Sequence, residues 1–100
     1  MTFRVRTHSD ASTELAEAVR WYESRRTGLG SDLLDEVAGT IERVAQNPEI
    51  GSSLSADQNT RRLFVTRFPY QLVYRLRTDE VVIVAVAHLK RRPGYWKHRR

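Results

Sequence analysis

The sequence contains no cysteine, which excludes disulfide staples, thiolate nucleophiles and cysteine-held zinc or iron-sulfur centres, and which suits a reducing cytoplasm. Long apolar runs are missing as well. The longest, Val81 to Ala87, falls far below the roughly 20 residues needed to cross a bilayer. Met1-Thr2-Phe3-Arg4 lacks the apolar centre of a signal peptide, so we expect a chain that is neither secreted nor membrane-spanning. His8, His88 and His98 do not have metal-ligand spacing. Gly28-Leu29-Gly30 lacks the preceding strand and the third glycine or lysine of a phosphate loop. Neither a metal nor a cofactor is therefore expected.

Negative charge is scarce in one half only. Residues 58 to 100 carry two acids against eleven Lys or Arg, whereas residues 9 to 49 carry nine acids against four. The net charge of +5 thus conceals a strongly basic C-terminal segment. A field so divided attracts anions over a Debye length and favours nucleic acid or an acidic protein segment as partner; the plainer reading is a basic solubilising surface. With 100 residues, the chain is expected to form one domain around one core.

The periodicities suggest an order of elements. Phe3-Arg4-Val5-Arg6-Thr7 alternates apolar with basic, as a half-buried strand does. Ser9 or Asp10 is suited to cap a first helix, and Asp10, Glu14 and Glu17 complement its positive dipole end. Leu15, Ala18, Val19 and Tyr22 form its apolar stripe until Gly28-Leu29-Gly30 lets the chain reverse. Leu29, Leu33, Val37, Ile41 and Val44 share one face of a second helix, which stops at Asn47-Pro48. Gly39 inside it costs up to about 1 kcal/mol relative to Ala, and close helix-helix approach is the expected reason. Residues 49 to 60 read as a mobile connecting loop. Runs from Arg61 to Thr66, Gln71 to Arg77 and Val81 to His88 then predict an antiparallel meander. The last, apolar throughout, is expected at the centre of the sheet, covered on both faces. The expected fold is α+β, βααβββ, with the helical hairpin on one face of a small, mainly antiparallel sheet and the arginines on the other.

Several phrases resemble the RelE/ParE family of bacterial toxins: Trp21-Tyr22-Glu23, Gly28-Leu29-Gly30, Asn47-Pro48, Arg61-Arg62, Arg67-Phe68-Pro69-Tyr70, Val73-Tyr74-Arg75, Ala85-Val86-Ala87-His88 and Arg91-Arg92-Pro93-Gly94-Tyr95-Trp96. The resemblance spans almost the whole chain. It implies a growth-inhibiting, plasmid-stabilising toxin of a type II toxin-antitoxin pair, neutralised by a cognate antitoxin in a hetero-oligomer. RelE-like members cut messenger RNA on the ribosome and ParE-like members poison DNA gyrase, on one shared fold. The long hairpin and the lack of a C-terminal helix resemble the ParE-like branch. An inactive relative that retains only antitoxin binding is a further alternative.

Metal-free cleavage of RNA needs a base for the 2′-hydroxyl, a donor to the leaving oxygen and cations at the phosphate. For the RelE-like reading the candidates are His88, Arg75, Arg92 and Tyr95. An imidazole exchanges protons near neutral pH, so His88 at a strand end suits acid-base work, though a structural imidazole at the sheet rim fits the same position. The resemblance maps an active-site tyrosine onto Tyr95 and an arginine onto Arg91 or Arg92. Arg62, Arg67, Lys90, Arg91 and Trp96 are candidates for contact with nucleic acid or a protein target. Two uses remain open for each kind of residue. The arginines can grip phosphates or pair with helix and antitoxin carboxylates, and Tyr95 and Trp96 can stack on bases or cover the sheet.

Overall fold

A computed structural model describes residues 2 to 100. Its elements run β1 (Arg4–Thr7), α1 (Ser9–Arg25), α2 (Leu29–Gln46), a 3-10 turn (Pro48–Ile50), β2 (Ser52–Ser53), β3 (Thr60–Phe64), β4 (Tyr70–Leu76) and β5 (Glu80–His88). The five strands form one sheet in the order β1-β5-β4-β3-β2. The last three strands form the expected antiparallel meander, and β1 adds to β5 in parallel. The helical hairpin covers one face, so the α+β layering follows the periodicity. β5 has a strand on either side, and Val81 to Ala87 are all buried.

The start of α1 differs from expectation. His8, just past β1, still donates its N–H to the Ile83 carbonyl of β5 at 2.8 Å, and the helix begins at Ser9. The cap is His8 itself, whose Nδ1 accepts from the Asp10 N–H at 3.0 Å. Asp10 lies inside the first turn, with its carboxylate free to pair elsewhere.

The hairpin turn depends on Gly28, at φ 91°, and on Glu23, whose carboxylate accepts from the N–H groups of Gly28 and Gly30 at 2.9 Å each. Glu23 on α1 thus caps α2, satisfying donors that a helix start leaves open. Close approach occurs here, at Gly30: a Cβ at that position would lie 2.6 Å from the Val19 carbonyl oxygen. At Gly39 a Cβ would meet nothing within 4 Å, so the expectation of helix contact at Gly39 is corrected.

The segment after α2 is also more structured than a connecting loop. Tyr74, wholly buried, donates its hydroxyl to the Pro48 carbonyl at 2.7 Å and accepts from the Gly51 N–H at 2.9 Å. Arg61 donates to the carbonyls of Glu49, Gly51 and Gln58, and β2 pairs with β3. These bonds account for backbone groups that a short excursion over the sheet would otherwise leave unpaired.

A bulge in β5 positions everything that follows. Val73 faces Ala85 and Tyr74 faces Ile83, so Val84 is the extra residue. Val81 and Ile83 belong to the core beneath the helices, whereas the adjacent residues Val84 and Ala85 both belong to the cluster on the other face. The alternation is therefore inverted, Val86 returns to the helix side, and the strand ends with His88 on that side as well. On the far face, Val73, Val82, Val84, Ala85 and Ala87 are covered by Trp96, which is 8% exposed. The face expected to hold arginines does carry Arg62 and Arg75, but the C-terminal segment lies folded across it.

Candidate functional site

β1 stops at Thr7, opposite Ile83, which leaves the edge of β5 from Val84 onward without a strand partner. Two side chains occupy that edge. Glu14 accepts from the Val86 N–H at 3.0 Å, and Arg99 donates to the Val84 carbonyl at 3.0 Å. The two also pair with each other at 3.0 Å, and Tyr95 donates its hydroxyl to the other Glu14 oxygen at 2.7 Å. Asp10 adds a carboxylate 3.6 Å from Arg99. A carboxylate and a guanidinium thus stand in for the missing strand and attach the C-terminal segment to α1. Burial pushes the Tyr95 phenol up from its ordinary range, and its bond to Glu14 pushes in the same direction. For Arg99, burial favours the neutral form, but the bond to Glu14 and the charges of Glu14 and Asp10 outweigh it and raise the pKa further.

Arg75 serves the same segment from below. Its guanidinium donates to the carbonyls of Arg99 and, at 3.0 Å, Lys97, and burial, together with Arg77, depresses its pKa. Arg67 turns the other way, at φ 73°, and lies 3.5 Å from Asp32 and 3.8 Å from Glu36 on α2. Lys90 is exposed, and its backbone N–H donates to the His88 Nδ1 at 3.1 Å. These three side chains lie away from the cleft described next.

The remaining candidates come together. Arg62, His88, Arg91, Arg92, Tyr95 and Trp96 line one cleft of about 330 Å³ between β3, the end of β5 and the C-terminal turns. Its rim is apolar, formed by Leu54, Phe64 and Leu89, which are 41%, 52% and 47% exposed. On the helix side of His88 and Arg91 a second hollow of about 350 Å³ holds Glu14, Glu17, Trp21, Tyr22 and Tyr70. Tyr22 stands edge-on to Phe68 at 5.1 Å, as a core aromatic does.

The chemistry available in the cleft follows from its hydrogen bonds. Because the His88 Nδ1 accepts a backbone N–H, the proton of the neutral ring belongs on Nε2. Tyr95 is committed to Glu14. The guanidinium of Arg91 lies 3.9 Å from the Tyr95 ring centroid, and that of Arg62 lies 5.0 Å from Phe64. In this arrangement the cleft presents three arginine cations, a set that binds anionic groups. Sequence reasoning missed Glu14, Arg99 and the apolar rim. Glu14 carried only the signal of an acid near the start of the first helix, and its partners lie more than seventy residues away.

A family model described as "ParE toxin of type II toxin-antitoxin system, parDE" matches residues 5–93. The chain belongs to the ParE toxin family. Among solved structures, this ParE-family chain is similar to one titled "Chromosomal ParDE TA system from P. aeruginosa", with a TM-score of 0.74 and 15% identity over 87% of this chain and 96% of that one. It is similar also to a mutant of the E. coli toxin RelE in the free state, with a TM-score of 0.69 and 17% identity over 90% of this chain and 86% of that one. At such identities the two likenesses establish the shared fold. No curated protein matches at the level of sequence. Among the described residues no helix is long and apolar enough to cross a membrane.

Proposed function

We propose that this ParE-family chain is the toxin of a cytoplasmic type II pair, neutralised by a cognate antitoxin, and that it arrests growth by binding DNA gyrase. The observation that carries this reading is the commitment of Tyr95 to Glu14 and of the His88 Nδ1 to the backbone, which leaves a cleft furnished for binding and without a placed general base. For the antitoxin, support comes from an apolar groove of about 410 Å³ along the hairpin, lined by Leu15, Ala16, Val19, Leu34 and Ile41. An amphipathic segment fits such a surface. The test is purified protein in gyrase supercoiling and cleavage assays, run beside ribosome-dependent messenger cleavage. Inhibition of gyrase with intact message is expected. Unchanged gyrase activity at concentrations that arrest growth rejects the reading.

The convergence of His88, Arg62, Arg91, Arg92 and Tyr95 on one cleft favours a second reading, a RelE-type endoribonuclease. That activity needs Tyr95 to leave Glu14 and His88 to free a ring nitrogen. If it operates, His88→Ala and Tyr95→Phe each lower message cleavage about a hundredfold or more. Expression without any growth defect identifies instead an inert relative that binds only its antitoxin.

A further inference from the structure

The cleft between β3 and the C-terminal turns combines two features that seldom adjoin on a free surface. Arg62, Arg91 and Arg92 line it, and among the described residues none of them pairs with a carboxylate. Arg62 donates from one terminal nitrogen to the Gln71 Oε1 at 3.4 Å, and its Nε is buried without a hydrogen-bond partner. Beside these cations stand the exposed side chains of Leu54, Phe64 and Leu89. We infer that this cleft docks an acidic segment of a partner protein, with a carboxylate on the arginine forks and an adjacent large apolar side chain against Leu54, Phe64 and Leu89.

Charge complementarity selects an anion, because three guanidiniums without counter-charges present forks that match carboxylate oxygens. The rim selects protein over nucleic acid. A bound strand of RNA needs aromatic faces on which bases stack. Here Arg91 covers the Tyr95 ring and Trp96 is turned into the sheet, so among the described residues Phe64 is the one exposed ring that lines the cleft, too few for a run of stacked bases. Two leucines against a phosphate chain gain nothing, whereas against a Leu or Phe of a partner they remove apolar area from water. This inference rests on the reading of the chain as a toxin that works by binding, and it names the chemistry its partner presents.

The experiment titrates the full chain with a fluorescein-labelled synthetic peptide in which Glu alternates with Leu, and separately with a single-stranded RNA oligonucleotide of equal charge. Arg91→Gln/Arg92→Gln and Phe64→Ser alter only exposed side chains, and circular dichroism verifies their folding. The wild-type chain is expected to bind the peptide more tightly than the RNA. The double arginine variant should weaken peptide binding about tenfold to a hundredfold, and the Phe64 variant several-fold. Tighter binding of the RNA, no binding of the peptide, or peptide binding indifferent to both variants overturns the inference. Gyrase assays on the same proteins separate the two claims. A chain that binds the peptide through these residues yet leaves gyrase untouched refutes the gyrase reading and upholds the cleft chemistry. A chain that inhibits gyrase but ignores the peptide refutes the cleft chemistry alone.

Discussion

Replacing Glu14 by alanine removes one acceptor group from three donors at once: the Val86 N–H, the Tyr95 hydroxyl and the Arg99 guanidinium. The pair is well sheltered, with side-chain exposures of 14% for Glu14 and 10% for Arg99. Removing one partner from a buried ion pair costs about 3–5 kcal/mol, since the other charge stays desolvated. Asp10, 3.6 Å from Arg99 and half exposed, offers partial relief, so the lower end, about 3 kcal/mol, is the expected loss. Against a total stability of about 5–15 kcal/mol for a domain, that is a large fraction. Urea unfolding followed by circular dichroism measures it, and a Glu14→Gln/Arg99→Gln double-mutant cycle should give a coupling of about 1 kcal/mol or more. A second readout follows the C-terminal segment. In a Trp21→Phe background Trp96 is the sole indole, and its emission should shift to the red when Glu14 is lost. A loss below about 1 kcal/mol, a coupling indistinguishable from zero, or an unmoved Trp96 emission would refute the assignment of Glu14 as the anchor of this segment.

The two glycines of α2 should respond with opposite signs. Gly30→Ala is expected to destabilise by more than about 1 kcal/mol, because the new Cβ meets the Val19 carbonyl, while Gly39→Ala should stabilise by about 0.5–1 kcal/mol; thermal melts compare them. Tyr74→Phe leaves the buried groups of Pro48 and Gly51 without a partner and should cost about 1–3 kcal/mol in urea unfolding, with faster proteolysis between residues 48 and 60. Tyr95 titrates above the ordinary tyrosine value of 10.0, so its neutral form favours the folded state. The stability it contributes is complete below pH 10 and declines as pH rises toward the folded-state value. Absorbance at the phenolate band, wild type minus Tyr95→Phe, should therefore show no step at pH 10.

The layering was legible because it depends on period. Leu33, Val37 and Val44 on α2 report burial through their helical spacing, and β5 reports it through an unbroken apolar run. The bulge at Val84 was not legible, since Val-Ile-Val-Ala-Val-Ala is apolar at every step and carries no phase. Without that phase the side of the sheet on which His88 emerges is undetermined. Basic residues of the cleft were identifiable as a group because they crowd the last third of the chain. Their division was not: Arg75 holds backbone carbonyls, Arg67 pairs with α2, and only Arg62, Arg91 and Arg92 line the cleft. Residue type does not distinguish a guanidinium engaged by the protein from one available to a partner. The same holds for Trp96, whose burial depends on a fold-back with no local periodicity.

The open edge of β5 bears on solubility. Val84 to Ala87 form an apolar backbone edge without a strand partner, a stretch onto which a strand from another molecule would readily add. The charged pair of Glu14 and Arg99 shields that stretch by filling its hydrogen bonds with groups that no second strand can extend. A protein shortened to end at Gly94 lacks Tyr95, Trp96 and Arg99 together, so it bares both the edge and the apolar face beside it. The final six residues are in this sense a guard against self-association, and a truncation intended to test toxicity tests aggregation as well.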